Sequence, residues 1–287
     1  MLTQDERFEM MLNIMNRLVP ELRNRRRSRK TRVELSAAAS IQPLTRSHRP
    51  FAAPHLHSVL DRLGPVPAYQ ALIGMCEDGL PFLFDMSDPL PGSLLVLADS
   101  DTGKTHLIRS LMYSAALLNS RRRFACTVIA RQLEEYDFLI DSPHCNGLIS
   151  CSEPIAHEHL LERIDYVEKH ANGAPVSEVQ LTVIDDLASL LRYQSAEVSA
   201  PLRWLLRSAA RAGVWFVAAL RPDDFRRVGS AIPEQFGTPL VGPVARRPAA
   251  PVFAQITTGL HPQSLAPGQF AALLGREWVR FSLLSLD

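Results

Sequence analysis

Read for the spacing of apolar and polar positions, the chain changes character near residue 57. Before that point, residues 7–19 (RFEMMLNIMNRLV) set Phe8, Met11, Leu12, Met15, Leu18 and Val19 at helical spacing, which predicts a short amphipathic helix. Pro20 interrupts it. The basic stretch ELRNRRRSRKTR follows, and residues 36–56 are small, polar and proline-bearing, which reads as a linker. Beyond the linker, strand and helix patterns alternate as in a parallel α/β sheet. ALIGM and LPFLFDM, parted by the turn-like CEDG, predict a hairpin. SLLVLA (93–98) is a continuous apolar run, the pattern of a strand buried on both faces. THLIRSLMYSAALLNS predicts an apolar-striped helix, FACTVIA (124–130) a second buried strand, and residues 155–170 another helix. LTVIDD (181–186) and VWFVAAL (214–220) are two more strands, and GQFAALLGREWVRFSLL closes the chain as a strand pair around Gly275. The expected organisation is an N-terminal helix and basic segment over 1–35, a linker over 36–56, and an α/β domain over 57–287.

Two of these strands end in residues that carry chemistry. After SLLVL come Ala98, Asp99, Ser100, Asp101, Thr102, Gly103, Lys104 and Thr105, which match the phosphate-binding loop pattern except that alanine takes the first glycine's place. A buried strand leads into the segment and a helix leads out. Successive backbone N–H groups at such a helix start form an anion cradle that needs no side chain. Gly103 permits close approach of the backbone to phosphate; Lys104 would reach the β- and γ-phosphates, and the Thr105 hydroxyl would ligate magnesium. Asp99 and Asp101 place negative charge beside that polyanion. LTVIDD ends its strand in two carboxylates: Asp185 is expected near magnesium, and Asp186 is expected to orient the attacking water. The alternative is that Asp185 or Asp186 simply caps the LASLLRY helix.

Composition narrows the function less than the motifs do. The 287 residues are 46% hydrophobic and 21% charged, with a formal charge of +1, so no global attraction to nucleic acid or membrane is implied. Basic charge is instead local: Arg23, Arg25, Arg26, Arg27, Arg29, Lys30 and Arg32 form a run suited to sequence-blind phosphate contacts, or to a solvated tether. The four cysteines lack the spacing of a disulfide framework. Cys145, Cys151, His157 and His159 fit no common zinc pattern. There is no signal-like start and no run near the ~18 apolar residues of a membrane helix, so a cytoplasmic protein without a membrane span is expected.

At this point the chain resembles the FtsK/SpoIIIE branch of the FtsK–HerA P-loop ATPases, which includes the ATPases of type VII secretion. The likeness runs over about residues 57–285 and is carried by GMCEDGLPFLFDM, PGSLLVLADSDTGKTHLIRSLM, a segment with Tyr136 and a Pro-His pair before the next strand, LTVIDDLASLL, LLRSAARAGVWFVAALRP and LAPGQFAALLGREWVRFSL. The resemblance implies a RecA-like sheet, assembly into a homo- or hetero-oligomeric ring, and ATP with Mg2+ bound between neighbours. It also implies work on double-stranded DNA or on an exported protein. Of Arg203, Arg207 and Arg211, Arg211 stands nearest the position of the finger that a neighbouring subunit supplies. Three departures from the family pattern are Ala98, Asp186 in place of a glutamate, and Leu220 in place of a polar sensor. They leave two readings: a divergent ATPase that hydrolyses ATP to drive translocation, or a non-hydrolysing scaffold subunit of such an assembly.

Overall fold

Every residue of FACTVIA and of VWFVAAL is buried, and strands of that kind can only sit between two layers. The computed structural model describes residues 53–286 except 171–176, 194–195, 247 and 249. The N-terminal helix, the basic run with Arg25, Arg26, Arg27, Arg29 and Lys30, and most of the linker lie outside the described residues.

The chain opens with helix α1 (Leu56–Leu63) and the hairpin β1 (Gln70–Cys76) and β2 (Pro81–Asp85). Strand β3 (Leu94–Leu97) leads to α2 (Lys104–Leu118), and β4 (Phe124–Ala130) is followed by a 3-10 turn over Leu133–Leu139 and β5 (Cys145–Ser150). Next come α3 (Ile155–His170), β6 (Val179–Asp185), α4 (Leu187–Tyr193), α5 (Ala196–Ser208) and β7 (Val214–Leu220). The short α6 (Phe225–Val228), β8 (Thr238–Val241), α7 (Pro251–Ile256), β9 (Gln269–Leu274) and β10 (Glu277–Ser282) complete it. All ten strands join one sheet in the order β2-β1-β10-β9-β8-β3-β7-β6-β4-β5. From β8 to β5 the neighbours are parallel; β9, β10, β1 and β2 add antiparallel partners.

Alternation along each central strand divides the core into two apolar layers, since successive side chains leave a strand on opposite faces. On β7, Val214, Phe216, Ala218 and Leu220 enter one cluster, while Trp215, Val217 and Ala219 enter the other. Leu95 and Leu97 of β3 join the first, and Leu94 and Val96, with Ala98 just beyond the strand, the second. α3, α4 and α5 cover the first layer through Ala156, Leu160, Leu187, Leu190, Leu202 and Leu205. The second is covered by α2 through Leu107, Ile108, Leu111, Met112 and Ala115.

The hairpin, the buried strands, the helices and the closing strand pair match the expected α/β fold. Several short elements were not expected, β8 and α1 among them. β8 is four residues long, contains Pro239 and lies in a proline- and glycine-rich stretch, so it carries no periodic signal. Helix α1 begins at Leu56, whose side chain is buried against Leu72 and Leu284 although the linker reading ran to that residue. Among the described residues, no helix is long and apolar enough to cross a membrane.

Candidate functional site

The parallel strands deliver both motifs to one edge of the sheet. Leu97, the last residue of β3, pairs with Leu220 of β7, and Asp185, the last residue of β6, pairs with Ala219 of the same strand. One strand therefore separates the loop after β3 from the acidic end of β6. Across that gap the Thr105 hydroxyl donates to Asp185 Oδ2 at 3.0 Å. The Tyr136 hydroxyl donates to the same oxygen at 2.8 Å from a fully buried ring. Two hydroxyls thus fix the Asp185 carboxylate. Burial raises the Asp185 pKa above its ordinary value, while the Tyr136 and Thr105 hydrogen bonds and Lys104 oppose that rise. Burial and the neighbouring Asp185 hold the Tyr136 phenol protonated well above its usual range.

The loop itself is open and internally braced. Gly103 has φ 107°, a conformation that favours glycine, and a Cβ there would come within 2.8 Å of Leu283. Thr102 Oγ1 and Lys104 Nζ both donate to the carbonyl of Asp99, at 2.8 and 2.6 Å. Among the described residues no protein acceptor takes the backbone N–H of Gly103, Lys104 or Thr105, which stand at the start of α2 where helices leave amides unpaired. Burial lowers the Lys104 pKa; Asp185 opposes this and Arg221 adds to it.

The acidic residues of the loop do not crowd this cradle equally. Asp99 Oδ2 accepts the N–H of Ala245 at 2.7 Å, which turns its carboxylate toward the segment after β8. Asp101 has φ 58° and is exposed. Ala98 is fully buried, and its φ is not among the positive values in the chain, so no glycine is required at that position.

Asp186 stands beside the site in a second role. Its Oδ1 accepts the N–H of Ser189 at 2.9 Å, and its Oδ2 accepts the Ser189 hydroxyl at 2.7 Å, which is an N-cap of α4. Arg131 approaches Oδ2 at 3.8 Å. Asp186 still lines the hollow, so the capping and catalytic readings meet on one side chain. Arg203, Arg207 and Arg211 are exposed and precede Val214, the opposite end of β7 from the loop, so they do not reach this chain's own site.

A hollow of about 280 Å³ joins these groups. Lys104, Arg131, Arg192, Arg221 and Arg227 line it against the carboxylates of Asp101, Asp185 and Asp186, so its charge is positive on balance. A second hollow of about 860 Å³ shares Ser100, Arg221 and Arg227 with the first and adds Arg226 and Arg246. The site suits Mg-ATP on its own residues: unpaired amides and cations for phosphate, and hydroxyl and carboxylate oxygens for a hard cation that keeps several of its waters. Among the described residues, no three His, Cys, Asp or Glu side chains are gathered in the manner of a metal centre. His159 is instead buried against the Thr182 hydroxyl at 3.1 Å. The sequence reading gave no role to Arg131, Arg192, Arg221 or Arg227. The alternation of charges in RPDDFRR is a signal that could have singled out Arg221 and Arg227.

No family model matches the chain, and no curated protein matches it in sequence. Solved structures do. The cytoplasmic domain of the Thermomonospora curvata type VII secretion ATPase EccC superposes with a TM-score of 0.60 at 17% identity, covering 81% of this chain and 32% of that one. EssC (ATPases 2 and 3) from Geobacillus thermodenitrificans gives 0.60 at 11%, covering 87% and 48%. The pCW3 conjugation coupling protein TcpA with ATPγS gives 0.60 at 13%, covering 82% and 70%. The fold is that of a P-loop ATPase domain. EccC is of the kind to which the sequence resemblance pointed, and at identities this low the likeness shows the fold alone. The P-loop ATPase fold here spans only about a third to a half of the EccC and EssC structures it matches.

Proposed function

We propose that the chain binds ATP with magnesium in the loop and hollow described above and hydrolyses it to drive translocation of DNA or of a protein, as part of a cytosolic oligomeric ring. The observation that carries this reading is the contact between Thr105 and Asp185 across one strand, with Lys104 facing the same hollow. Thr105 and Asp185 would hold the metal, and the amides of Gly103, Lys104 and Thr105 would take phosphate oxygens. Magnesium, when bound, supplies charge neutralisation across the β- and γ-phosphates. Lys104 would exchange the Asp99 carbonyl for a phosphate oxygen. Tyr136 keeps the Asp185 carboxylate aimed at the site. Asp186 would orient the water, and Arg211 would act on a neighbouring subunit's nucleotide. EccC, named as a type VII secretion ATPase, and TcpA, named as a conjugation coupling protein, support a translocating role.

A second reading has its own observation. Both oxygens of Asp186 are occupied by the cap on Ser189, which favours a subunit that binds nucleotide without turning it over. Phosphate release, measured with and without duplex DNA, separates the two. The ATPase reading expects turnover that falls at least about tenfold in Asp186→Asn, a change that keeps a capping side chain while removing the base. No release by the unmodified chain under either condition would leave the scaffold reading standing.

A further inference from the structure

Arg221 leaves the end of β7 directly beside the phosphate loop, because Leu220 pairs with Leu97 and the loop begins one residue later. Its Nε donates to Asp224 Oδ2 at 2.7 Å, and Arg227 Nη1 lies 3.5 Å from Oδ1 of the same carboxylate. The Asp224 side chain is only 5% exposed, whereas those of Arg221 and Arg227 are 50% and 71% exposed. One buried carboxylate thus anchors two guanidinium groups that reach outward, and the trio keeps one uncompensated positive charge. The Asp224 contact occupies only Nε of Arg221, so its two terminal nitrogens remain as a fork, the geometry that suits a phosphate.

A surface ion pair between residues three apart could do no more than brace the turn after β7, with little effect on stability. Two facts argue for more. Both arginines line the same hollow as Lys104, Thr105 and Asp185, and that hollow already holds Arg131 and Arg192. Five cations face three carboxylates there, so the hollow keeps a positive charge that a bound anion would offset.

We propose that Arg221 and Arg227, oriented by Asp224, bind the terminal phosphate of the nucleoside triphosphate held by this chain's own loop, a step that rests on the nucleotide reading of the site. Arg221 and Arg227 then make the site selective for triphosphate over diphosphate, and Asp224 is a positioning residue that never touches the ligand.

The test is calorimetric titration of the full chain with magnesium and either a non-hydrolysable ATP analogue or ADP. The unmodified chain is expected to prefer the triphosphate. Arg221→Ala should lower triphosphate affinity by about tenfold or more, the size of a lost charge-assisted hydrogen bond, with ADP affinity changed less than about twofold. Arg227→Ala, at a more exposed position, should lose selectivity in the same direction, and Asp224→Asn should lose part of it. Equal weakening toward both nucleotides, or no change toward either, overturns the proposal while the nucleotide reading survives. An unmodified chain that binds neither nucleotide removes both.

Discussion

Ala98 and Gly242 are packed as a complementary pair: a Cβ added to Gly242 would lie 2.9 Å from the Cβ of Ala98 and 2.6 Å from the Phe270 ring. The methyl group at the start of the loop therefore occupies space that a glycine on the neighbouring strand end leaves free. Gly242 also donates its N–H to the Leu97 carbonyl at 2.8 Å, which ties the segment after β8 to the last residue before the loop. The missing first glycine of the motif is thus accommodated by packing.

Enlarging Gly242 is expected to be costly at the loop itself. Gly242→Val should destabilise the fold by about 1–3 kcal/mol through overpacking, read by denaturant unfolding, and should weaken nucleotide binding as well. Ala98→Gly should change nucleotide affinity little and cost only about 0.5–1 kcal/mol of stability from added chain freedom.

Tyr136→Phe isolates the hydroxyl that aims Asp185. The ring stays in its buried place, so a stability loss of only about 0.5–1.5 kcal/mol is expected. Magnesium dependence should move much further, because partners of metal ligands typically affect affinity by about 10- to 100-fold. A magnesium titration at fixed ATP reads it; an unchanged midpoint would show that Tyr136 serves only packing.

His159 makes the fold sensitive to acid. Burial, with Arg163 adding to it, pushes the His159 imidazole down to about 4 from 6.5. Its folded pKa is depressed, so the unfolded chain binds the proton more readily between those values. Stability is retained above pH 6.5 and lost as pH falls toward 4, at up to about 1.4 kcal/mol per pH unit. His159→Gln should flatten unfolding free energy against pH over that window, whatever its effect at neutral pH.

Much of the architecture was readable because the central strands are apolar without interruption and turn signals flank them. β3, β4, β6 and β7 declare themselves this way, and the loop and the acidic pair sit at their ends. β8 escaped because four residues around Pro239 carry no period. Roles of single side chains were harder. Asp186 reads as cap or as base from spacing alone, and the structure shows the capping contacts beside the hollow. Gly242 matters through Ala98, more than a hundred residues away, and leaves no local pattern; Asp224 matters through its burial, which spacing does not show. Tyr136 stood within the resemblance, yet only the fold brings its hydroxyl to Asp185, 49 positions distant in sequence.

The central claim is that the amides from Gly103 to Thr105 and the Lys104 ammonium receive a triphosphate. Calorimetry of Mg-ATP against the unmodified chain and Lys104→Ala tests it most directly. The expected result is one nucleotide bound per chain, with affinity falling by about 100-fold in the variant, the loss of two to three kcal/mol from a charged phosphate contact. Equal affinity in both proteins, or no heat of binding from the unmodified chain, would contradict it.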